Sequence, residues 1–518
     1  MKKIYFLFLL LVCVSITLSA QLVYKDVAGI FYSRCTGCHH LNGGAPFSMM
    51  NYSEIYPWAS WIQTDLNTGK MPPWPPDTTY TRFLHERIIT QTEKNDILNW
   101  ISGGVQKGDT TLAPVAPVYT KHKLKGTPDL ILKMPAFPSN ATTADVYNCF
   151  AIPTGLTVDR ILRAYEIVPN NPGLIHHTVV KVDTTGTVNS NLSGGCFNEP
   201  GDFGIGGYAP GTPPVIFSGQ APLKIGIRIK AGSKLISQQH YPAGSGGLID
   251  STEIRLYFYP VGTTGVRPVY ANTFLTNWLM SIPANTVKTY TAQYPTSGTL
   301  TTAISIYATS PHAHKVNKSM LVYGFRASPL DTIPLIHIPN WDFEWQGMYV
   351  HKNMVKIPAG YKLGSKHIYD NTTNNPNNPN NPPQLVSAGT STTNEMLFDS
   401  FQWMYYQTGD ENIDIGNLLG GDSLLLSANG PAISAETITS YVYPNPLCES
   451  GTLIVTNEQV ANCTLKLFDI YGKEVSMDVI RKADAFIIHR GNLPSGIYFY
   501  TLHSGKVLGE GKIVLLPE

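Results

Sequence analysis

The stretch Glu253-Ile254-Arg255-Leu256-Tyr257-Phe258-Tyr259 is a short run of β-type residues, as expected of a β-strand. Similar short runs, separated by turn residues, recur between residues 125 and 425, and long helical periodicity is scarce. The length of this region fits two antiparallel β-sandwiches in series, with a break near Pro260–Val269. The chain is therefore predicted to be rich in β-structure.

Length and charge limit the function classes. At 518 residues the chain is too long for one hydrophobic core, which predicts several domains. The formal net charge is +1 and 14% of the residues are charged, against about 25% in an average soluble protein. No basic field is present to hold nucleic acid or an anionic membrane.

The N-terminus has the pattern of an export signal. Lys2 and Lys3 precede an apolar run from Ile4 to Ile16, and Ala20 offers a small residue at a cleavage site. The run is too short to favour a membrane span, and no later stretch is long enough for a transmembrane segment. A lipid anchor on Cys13 is a weaker alternative, because Val12 is a poor residue before it.

We predict a multidomain chain in which a small all-α domain is followed by two tandem antiparallel β-sandwiches and a small Ig-like β-sandwich. The boundaries are a signal peptide at 1–20, the all-α domain at 21–112, a Pro-rich linker at 113–124, sandwiches at 125–262 and 263–425, and the Ig-like module at 440–518.

The motif Cys35-Thr36-Gly37-Cys38-His39 predicts covalent attachment of haem c. Two thiols at this spacing can add to the haem vinyl groups, and His39 then ligates the iron. A redox dithiol or a chance match is the alternative. Met71, in a stiff Met-Pro-Pro-Trp loop, is the predicted second axial ligand, and Met49 and Met50 are its competitors.

With Gly43-Gly44-Ala45-Pro46-Phe47 and Tyr56-Pro57-Trp58, this segment resembles small class I-like cytochrome c domains. The resemblance covers almost all of residues 21–112.

Five histidines form a second pattern: His176 and His177 are adjacent, His240 lies in Gln-His-Tyr, and His312 and His314 form a His-x-His. On a strand, residues two apart share a face, so the His-x-His can grip one ion. The adjacent pair needs a strand end or a bulge to do so. Imidazoles with an open position suit copper, and a thioether such as that of Met396 favours Cu(I). Ordinary hydrogen-bonded histidines are the alternative.

These segments resemble the copper type II, ascorbate-dependent monooxygenases, the family of peptidylglycine α-hydroxylating and dopamine β-monooxygenases. The resemblance spans roughly residues 125 to 412 and implies two copper ions. It assigns one to His176, His177 and His240 as an electron relay, and the other to His312, His314 and Met396 as the oxygen-binding catalytic site. The implied reaction is hydroxylation of a C–H bond with O2, in which two electrons are consumed.

Three positions depart from the peptide-amidating members of that family. Ser310 replaces the arginine that helps hold a substrate carboxylate, and Phe398 and Ser400 replace an asparagine and a tyrosine. A peptide C-terminus therefore has no evident partner, which argues against peptide amidation. Trp341 and Trp345 are candidates for an apolar pocket or for core residues.

Six cysteines remain after removal of the signal, and two of these belong to the haem motif. In an oxidising compartment we expect a disulfide between Cys149 and Cys196, a pairing that also fits cysteine-bearing segments of the monooxygenase family. Cys448 and Cys463 are a second candidate pair.

The C-terminal segment carries Val442-Tyr443-Pro444-Asn445-Pro446 and Gly496-Ile497-Tyr498-Phe499-Tyr500, and resembles the sorting domain of type IX secretion substrates. The resemblance implies the type IX machinery as a partner and a route through the periplasm to the cell surface or medium. A small adhesive or carbohydrate-binding sandwich is the alternative.

Together the patterns predict an exported copper monooxygenase whose haem c donates electrons to copper. Its expected partners are a small organic substrate, O2 and an external electron donor, either an ascorbate-like reductant or a redox protein. One alternative is a non-catalytic surface cytochrome that transfers electrons or binds copper. The other, a haem peroxidase or oxidase, is weakened by the predicted Met71 ligand.

Overall fold

Strands make up 41% of the computed structural model and helices 12%, which confirms the prediction of a β-rich chain. The structure describes residues 21–196, 202–422, 424, 440–455, 460–469, 473–482, 485–504 and 507–516. The chain divides into two compact units, residues 1–429 and 430–518, and each is described by itself. The predicted signal peptide lies outside the described residues. No helix in the described ranges is both long enough and apolar enough to span a membrane.

Four short α-helices lie near the start of the first unit: α1 (Tyr24–Arg34), α2 (Tyr52–Ile55), α3 (Ala59–Thr68) and α4 (Gln91–Ser102). A capping box starts α4, because the Thr90 hydroxyl accepts from the Glu93 amide and the Glu93 carboxylate accepts from the Thr90 amide. Phe31 and Trp100, both fully buried, pack edge to face at 5.9 Å between α1 and α4. The helices belong to the same compact unit as the sheets that follow, so a separate all-α domain stays a prediction.

Two sheets and a small ribbon form the first β-sandwich region. The strands are β1 (Leu130–Lys133), β2 (Phe137–Pro138), β3 (Val146–Pro153), β4 (Arg160–Val168), β5 (His177–Asp183), β6 (Asp202–Tyr208), β7 (Val215–Ile216), β8 (Gly219–Gln220), β9 (Leu223–Ile229), β10 (Lys234–Tyr241), β11 (Ile249–Asp250), β12 (Glu253–Phe258) and β13 (Arg267–Pro268). One sheet has the order β1-β12-β4-β9-β13, with β7 on β4 and β8 on β9; the other has the order β3-β10-β5-β6; β2 pairs with β11. Ile254 and Leu256 of β12 are fully buried.

The second region contains two four-stranded sheets. Its strands are β14 (Tyr270–Asn277), β15 (Ser281–Ile282), β16 (Thr286–Tyr294), β17 (Ile304–Ser310), β18 (Asn317–Ala327), β19 (Leu330–Ile338), β20 (Tyr349–Ile357), β21 (Lys362–Asn371), β22 (Val386–Ser387) and β23 (Leu397–Tyr405). The sheet orders are β14-β23-β17-β20 and β16-β21-β18-β19, and β15 pairs with β22. The short helix α5 (Ile415–Gly420) follows.

The segment between α3 and α4, residues 69–90, joins the helical segment to the second region, and we call it the excursion. The Leu84 amide donates to Val350 at 2.8 Å and the Lys352 amide donates to Arg82 at 3.0 Å, so this part of the chain lies along the β20 edge. Phe83, 4% exposed, packs into the core of the second region. The excursion therefore protects a sheet edge that would otherwise be open.

The second unit has two four-stranded antiparallel sheets, as predicted for an Ig-like module. Its strands are β24 (Ser440–Tyr443), β25 (Ser450–Val455), β26 (Thr464–Phe468), β27 (Glu474–Val475), β28 (Asp478–Arg481), β29 (Ala485–His489), β30 (Gly496–Ser504) and β31 (Val507–Leu515). The orders are β24-β25-β29-β28 and β27-β26-β30-β31. Leu453, Ile488 and Leu502 are fully buried between them.

Candidate metal centres

Three predicted copper ligands meet at one end of the β3-β10-β5-β6 sheet. His177 begins β5 and lies directly opposite His240 of β10, while His176 precedes the strand. The strand end that an adjacent histidine pair needs is therefore present. The His176 amide also donates to the His240 carbonyl at 3.1 Å, which holds the two backbones together.

The imidazole nitrogens of this three-histidine cluster converge. The Nδ1 atom of His177 lies 3.1 Å from His176 Nδ1 and 3.3 Å from His240 Nδ1, and all ligand atoms lie within 4.8 Å of one another. Nitrogens this close cannot all carry a proton toward one another without repulsion, whereas one cation among them satisfies every lone pair.

Carboxylates hold the outer nitrogens of two of these rings. Nε2 of His176 is hydrogen-bonded to Glu344, and Nε2 of His240 lies 3.1 Å from an Asp145 oxygen. A proton held on Nε2 leaves the Nδ1 lone pair for a metal, the usual arrangement of a metal-binding histidine. Sequence reasoning missed both acids, since neither lies near a histidine in the chain.

Burial favours the neutral form of His177 and His240. The pKa of His240 is lowered to about 4, mainly by burial and then by the positive charge that His176 can carry, with Asp145 opposing both. Burial also lowers the pKa of His177 well below its ordinary value, with further lowering by the neighbouring imidazoles. Neutral imidazole is the form that binds metal, so His177 and His240 are in the metal-binding form at neutral pH.

The second predicted site lies beyond β17. The prediction that His312 and His314 lie on a strand is wrong, because β17 ends at Ser310 and both residues lie in the connection to β18. Pro311 has no N–H group to continue the ladder, which accounts for the end of the strand. The two rings still lie 5.3 Å apart.

Glu395 binds the His-x-His connection to the segment that carries Met396. Its carboxylate accepts the backbone N–H groups of His314 at 2.9 Å, Val316 at 2.8 Å and Met396 at 3.1 Å. Burial raises the pKa of Glu395 to about 8, while these N–H donors favour the ionised form. The Phe398 amide donates to the His312 carbonyl at 3.1 Å. Met396 therefore lies between two residues, Glu395 and Phe398, that are each hydrogen-bonded to the backbone of a histidine.

The imidazoles of this second site are also held neutral and oriented. Burial lowers the pKa of His312 to about 3 and that of His314 to about 4. Nδ1 of His314 lies 3.1 Å from the Asn394 carbonyl, which leaves Nε2 for a ligand. A charge on His312 lowers the pKa of His177, so the two sites lie within electrostatic range of each other.

One loop between β19 and β20, residues 341–348, contacts both sites, and we call it the bridging loop. The Trp341 indole donates to the His314 carbonyl at 3.0 Å, and Glu344 holds His176. Gln346 is hydrogen-bonded to His312. The Ser310 hydroxyl donates to the Gly347 carbonyl at 3.1 Å.

The haem motif follows α1 directly and forms tight turns. The His39 amide donates to the Cys35 carbonyl at 3.0 Å, and the thiols of Cys35 and Cys38 are unbridged and partly exposed. Nδ1 of His39 lies 3.0 Å from the Phe47 carbonyl, which leaves Nε2 for an iron ion. These residues fit a covalently bound haem.

The methionine candidates differ in their surroundings. Met49, 5% exposed, is part of the core around α1, as expected of a structural residue. Met71 is partly exposed, and its amide lies 3.3 Å from the Asp65 carbonyl at the end of α3. Burial lowers the pKa of His39, and the charge of Asp65 opposes this shift. Asp65 is therefore a neighbour of both predicted axial ligands, His39 and Met71. The iron ligand Met71 stays a prediction.

Cys149 and Cys196 form the predicted disulfide, with Cα atoms 5.3 Å apart. It joins β3, next to the strand of His240, to the segment that follows β5. The second candidate pair is not formed: Cys448 is exposed and Cys463 lies in the core of the second unit.

Comparisons with known proteins bear mainly on the C-terminal unit. No curated protein matches the chain. Among solved structures, the VP2 subviral particle of infectious bursal disease virus aligns at 7% identity over 57% of this chain and 76% of that one, with a TM-score of 0.17. A DUF4785 family protein from Legionella pneumophila aligns at 10% identity over 48% of this chain and 65% of that one, with a TM-score of 0.11. At these TM-scores neither likeness carries an argument.

Residues 441–515 match a family model described as a secretion system C-terminal sorting domain. The match confirms the predicted type IX sorting domain and indicates export to the cell surface or the medium.

Proposed function

We propose that this chain is an exported copper-dependent monooxygenase that hydroxylates a C–H bond of a small organic substrate, with a fused haem c as electron donor. The observation that carries the proposal is the convergence of three imidazoles, 3.1 and 3.3 Å apart at Nδ1, beside a buried His-x-His tied to a methionine. Bound copper would supply the one-electron chemistry that activates O2.

The two sites offer different ligands and are proposed to have different roles. The three-histidine cluster offers nitrogen ligands held by outer carboxylates, an arrangement that keeps the ring orientations fixed while an electron passes. The site of His312, His314 and Met396 adds a soft thioether, which favours a reduced copper ion. Glu395 fixes the backbone of two of these three ligands and so sets their spacing.

The reaction balances with an external reductant. The substrate C–H bond is broken and a C–O bond is formed; the second oxygen atom leaves as water after accepting two electrons and two protons. An ascorbate-like reductant or a redox protein is the source of the electrons. Position 310, where the resembled family has an arginine, is a serine whose hydroxyl is engaged with Gly347, so a substrate without an essential carboxylate fits best.

The test follows oxygen atoms. The mature protein, loaded with copper and haem, is incubated with ascorbate, ¹⁸O₂ and a mixed extract of small molecules, and the products are searched by mass spectrometry. We expect at least one compound to gain a single ¹⁸O atom with the wild type and none with the matched Met396→Ala variant.

The alternative is a non-catalytic surface cytochrome that binds copper. Consumption of O2 that depends on copper, with no labelled organic product in any extract, would favour that function over hydroxylation.

A further inference from the structure

The haem motif packs against a turn of the first sandwich region, Ala209–Thr212, which we call the docking turn. A Cβ atom on Gly211 would lie 2.2 Å from the Cys38 sulfur, so only a glycine backbone fits there. From the other side, a Cβ atom on Gly44 would lie 2.3 Å from Pro210 Cβ. Two close approaches to the docking turn, one at Cys38 and one at Gly44, define this contact.

The docking turn is continuous with the three-histidine cluster. It directly follows β6, whose last residue, Tyr208, pairs with Thr178 of β5. Thr178 is the neighbour of His177 in the chain. The path from the Cys38 sulfur to His177 therefore passes through one turn and one pair of strand residues.

The linker before the first sandwich region fixes the same contact. The Tyr119 ring stacks on His40 at 4.0 Å, and its hydroxyl lies 2.7 Å from the Thr36 hydroxyl inside the haem motif. The Lys123 ammonium donates to the Thr212 carbonyl of the docking turn at 3.4 Å. The linker is thus packed against both the haem motif and the docking turn, and these contacts hold the haem motif in place.

A second line of contacts ends at the same cluster. The Arg87 guanidinium lies 5.7 Å from the centre of the Trp345 ring, and Trp345 follows Glu344, which holds His176. A Cβ atom on Gly211 would lie 3.5 Å from Arg87, so both lines start at the docking turn.

We propose that the docking turn is the surface on which the haem edge at Cys38 sits, and that electrons reach the copper centres through it at the three-histidine cluster. This inference rests on the proposed function for the presence of copper. Each transfer oxidises one ferrous haem to ferric and reduces one cupric ion to cuprous. The external one-electron reductant then restores the ferrous haem.

The chain provides a closely matched control for the test. Gly211 and Gly262 both have φ +82°, and each stands third in a turn closed by a threonine amide. A Cβ atom on Gly262 would meet nothing within 4 Å. Gly262→Ala therefore carries the backbone strain of Gly211→Ala without its collision. Gly44→Ala disturbs the contact from the haem side.

Two measurements are made on full-length mature protein whose copper and haem contents are determined first. Hydrogen exchange of the backbone amides at positions 208, 209, 211 and 212, with and without copper, reports whether the docking turn contacts the haem motif. Stopped-flow reoxidation of the prereduced haem by the copper centres reports the transfer. We expect faster exchange and at least an about tenfold slower reoxidation in Gly211→Ala and Gly44→Ala, with Gly262→Ala like the wild type.

The remaining outcomes overturn the inference in different ways. Unchanged exchange in both contact variants would show that the docking turn does not hold the haem edge. Faster exchange with unchanged reoxidation would show that electrons travel elsewhere. If the wild-type protein binds no copper at the histidines, the proposed function and the proposed electron transfer both fail. Hydrogen exchange measured without copper would then still show whether the docking turn contacts the haem motif.

Discussion

At the scale of single residues, the three-histidine cluster has two carboxylates beside its outer nitrogens. Glu344 and Asp145 hold the outer nitrogens of His176 and His240, so the inner nitrogens converge without a choice of tautomer. Glu344 is supplied by the second sandwich region and Asp145 by the first. The cluster therefore depends on both regions.

Replacing either acid is expected to weaken copper binding at this cluster. Glu344→Gln and Asp145→Asn should each reduce the affinity by about 10- to 100-fold, because the ring loses its orienting acceptor. Copper titration followed by electron paramagnetic resonance measures the change. Asp478→Asn, an exposed acid of the C-terminal unit, serves as the control. Equal affinities in all four proteins would refute an orienting role.

Glu395 has a structural role that can be measured without metal. Its removal in Glu395→Ala would leave three buried backbone N–H groups without an acceptor. We expect the metal-free protein to lose at least about 2 kcal/mol in its free energy of unfolding in urea. Copper content should fall from two ions to one, with the three-histidine cluster still filled. A variant that kept both ions and its stability would contradict this account.

At the scale of elements, the sequence predicted strands well and long-range contacts poorly. The β-type run Glu253–Tyr259 predicts β12, and the strand end that His176 and His177 need is the start of β5. The excursion around Phe83 was not predicted, because pairing with β20 depends on a partner almost 270 positions away. The bridging loop was missed for the same reason: its contacts with the histidines leave no local periodicity.

The excursion should anchor the helical segment to the second sandwich region. Phe83→Ala removes a phenyl ring that is 4% exposed and should cost about 3–5 kcal/mol in the free energy of unfolding. Trp61→Ala, at a side chain that is 65% exposed, should cost less than about 0.5 kcal/mol. Urea unfolding and limited proteolysis between α3 and α4 provide the comparison. A Phe83 variant as stable and as resistant as the Trp61 variant would show that the excursion is not an anchor.

An ion pair between elements gives the fold a defined dependence on pH. Asp410 accepts from Arg267 of β13 at 2.7 and 2.8 Å, and from the Ser305 hydroxyl of β17 at 2.6 Å. Burial alone would raise the pKa of Asp410, but the hydrogen bonds from Arg267 and Ser305 outweigh it and lower the pKa. The stability that this carboxylate contributes is therefore present above its unfolded pKa of about 4 and is lost as pH falls through the lower folded value.

Asp410→Asn is expected to cost about 3 kcal/mol or more at neutral pH, since it leaves the Arg267 charge largely buried. The difference from the wild type should shrink as pH falls below about 4. Asp159→Asn, which breaks the exposed pair with Arg228, should have a much smaller effect. Urea unfolding at several pH values measures both. A difference for Asp410→Asn that does not change with pH would show that its charge is not involved.

At the scale of the whole molecule, the predicted haem motif is packed against the first sandwich region and is not merely joined to it along the chain. Fusion alone motivated the idea that haem donates electrons to copper. The docking turn, the linker contacts of Tyr119 and the Arg87 contact with Trp345 are the observations on which the proposed route rests.

The central claim is that one chain holds two copper ions and one haem. The most direct measurement is metal analysis combined with electron paramagnetic resonance of the wild type, His176→Ala and His312→Ala. The account predicts two type 2 copper ions and one low-spin haem per wild-type chain, and the loss of one different copper signal in each variant. Zinc in both sites, or copper signals that neither substitution changes, would contradict it.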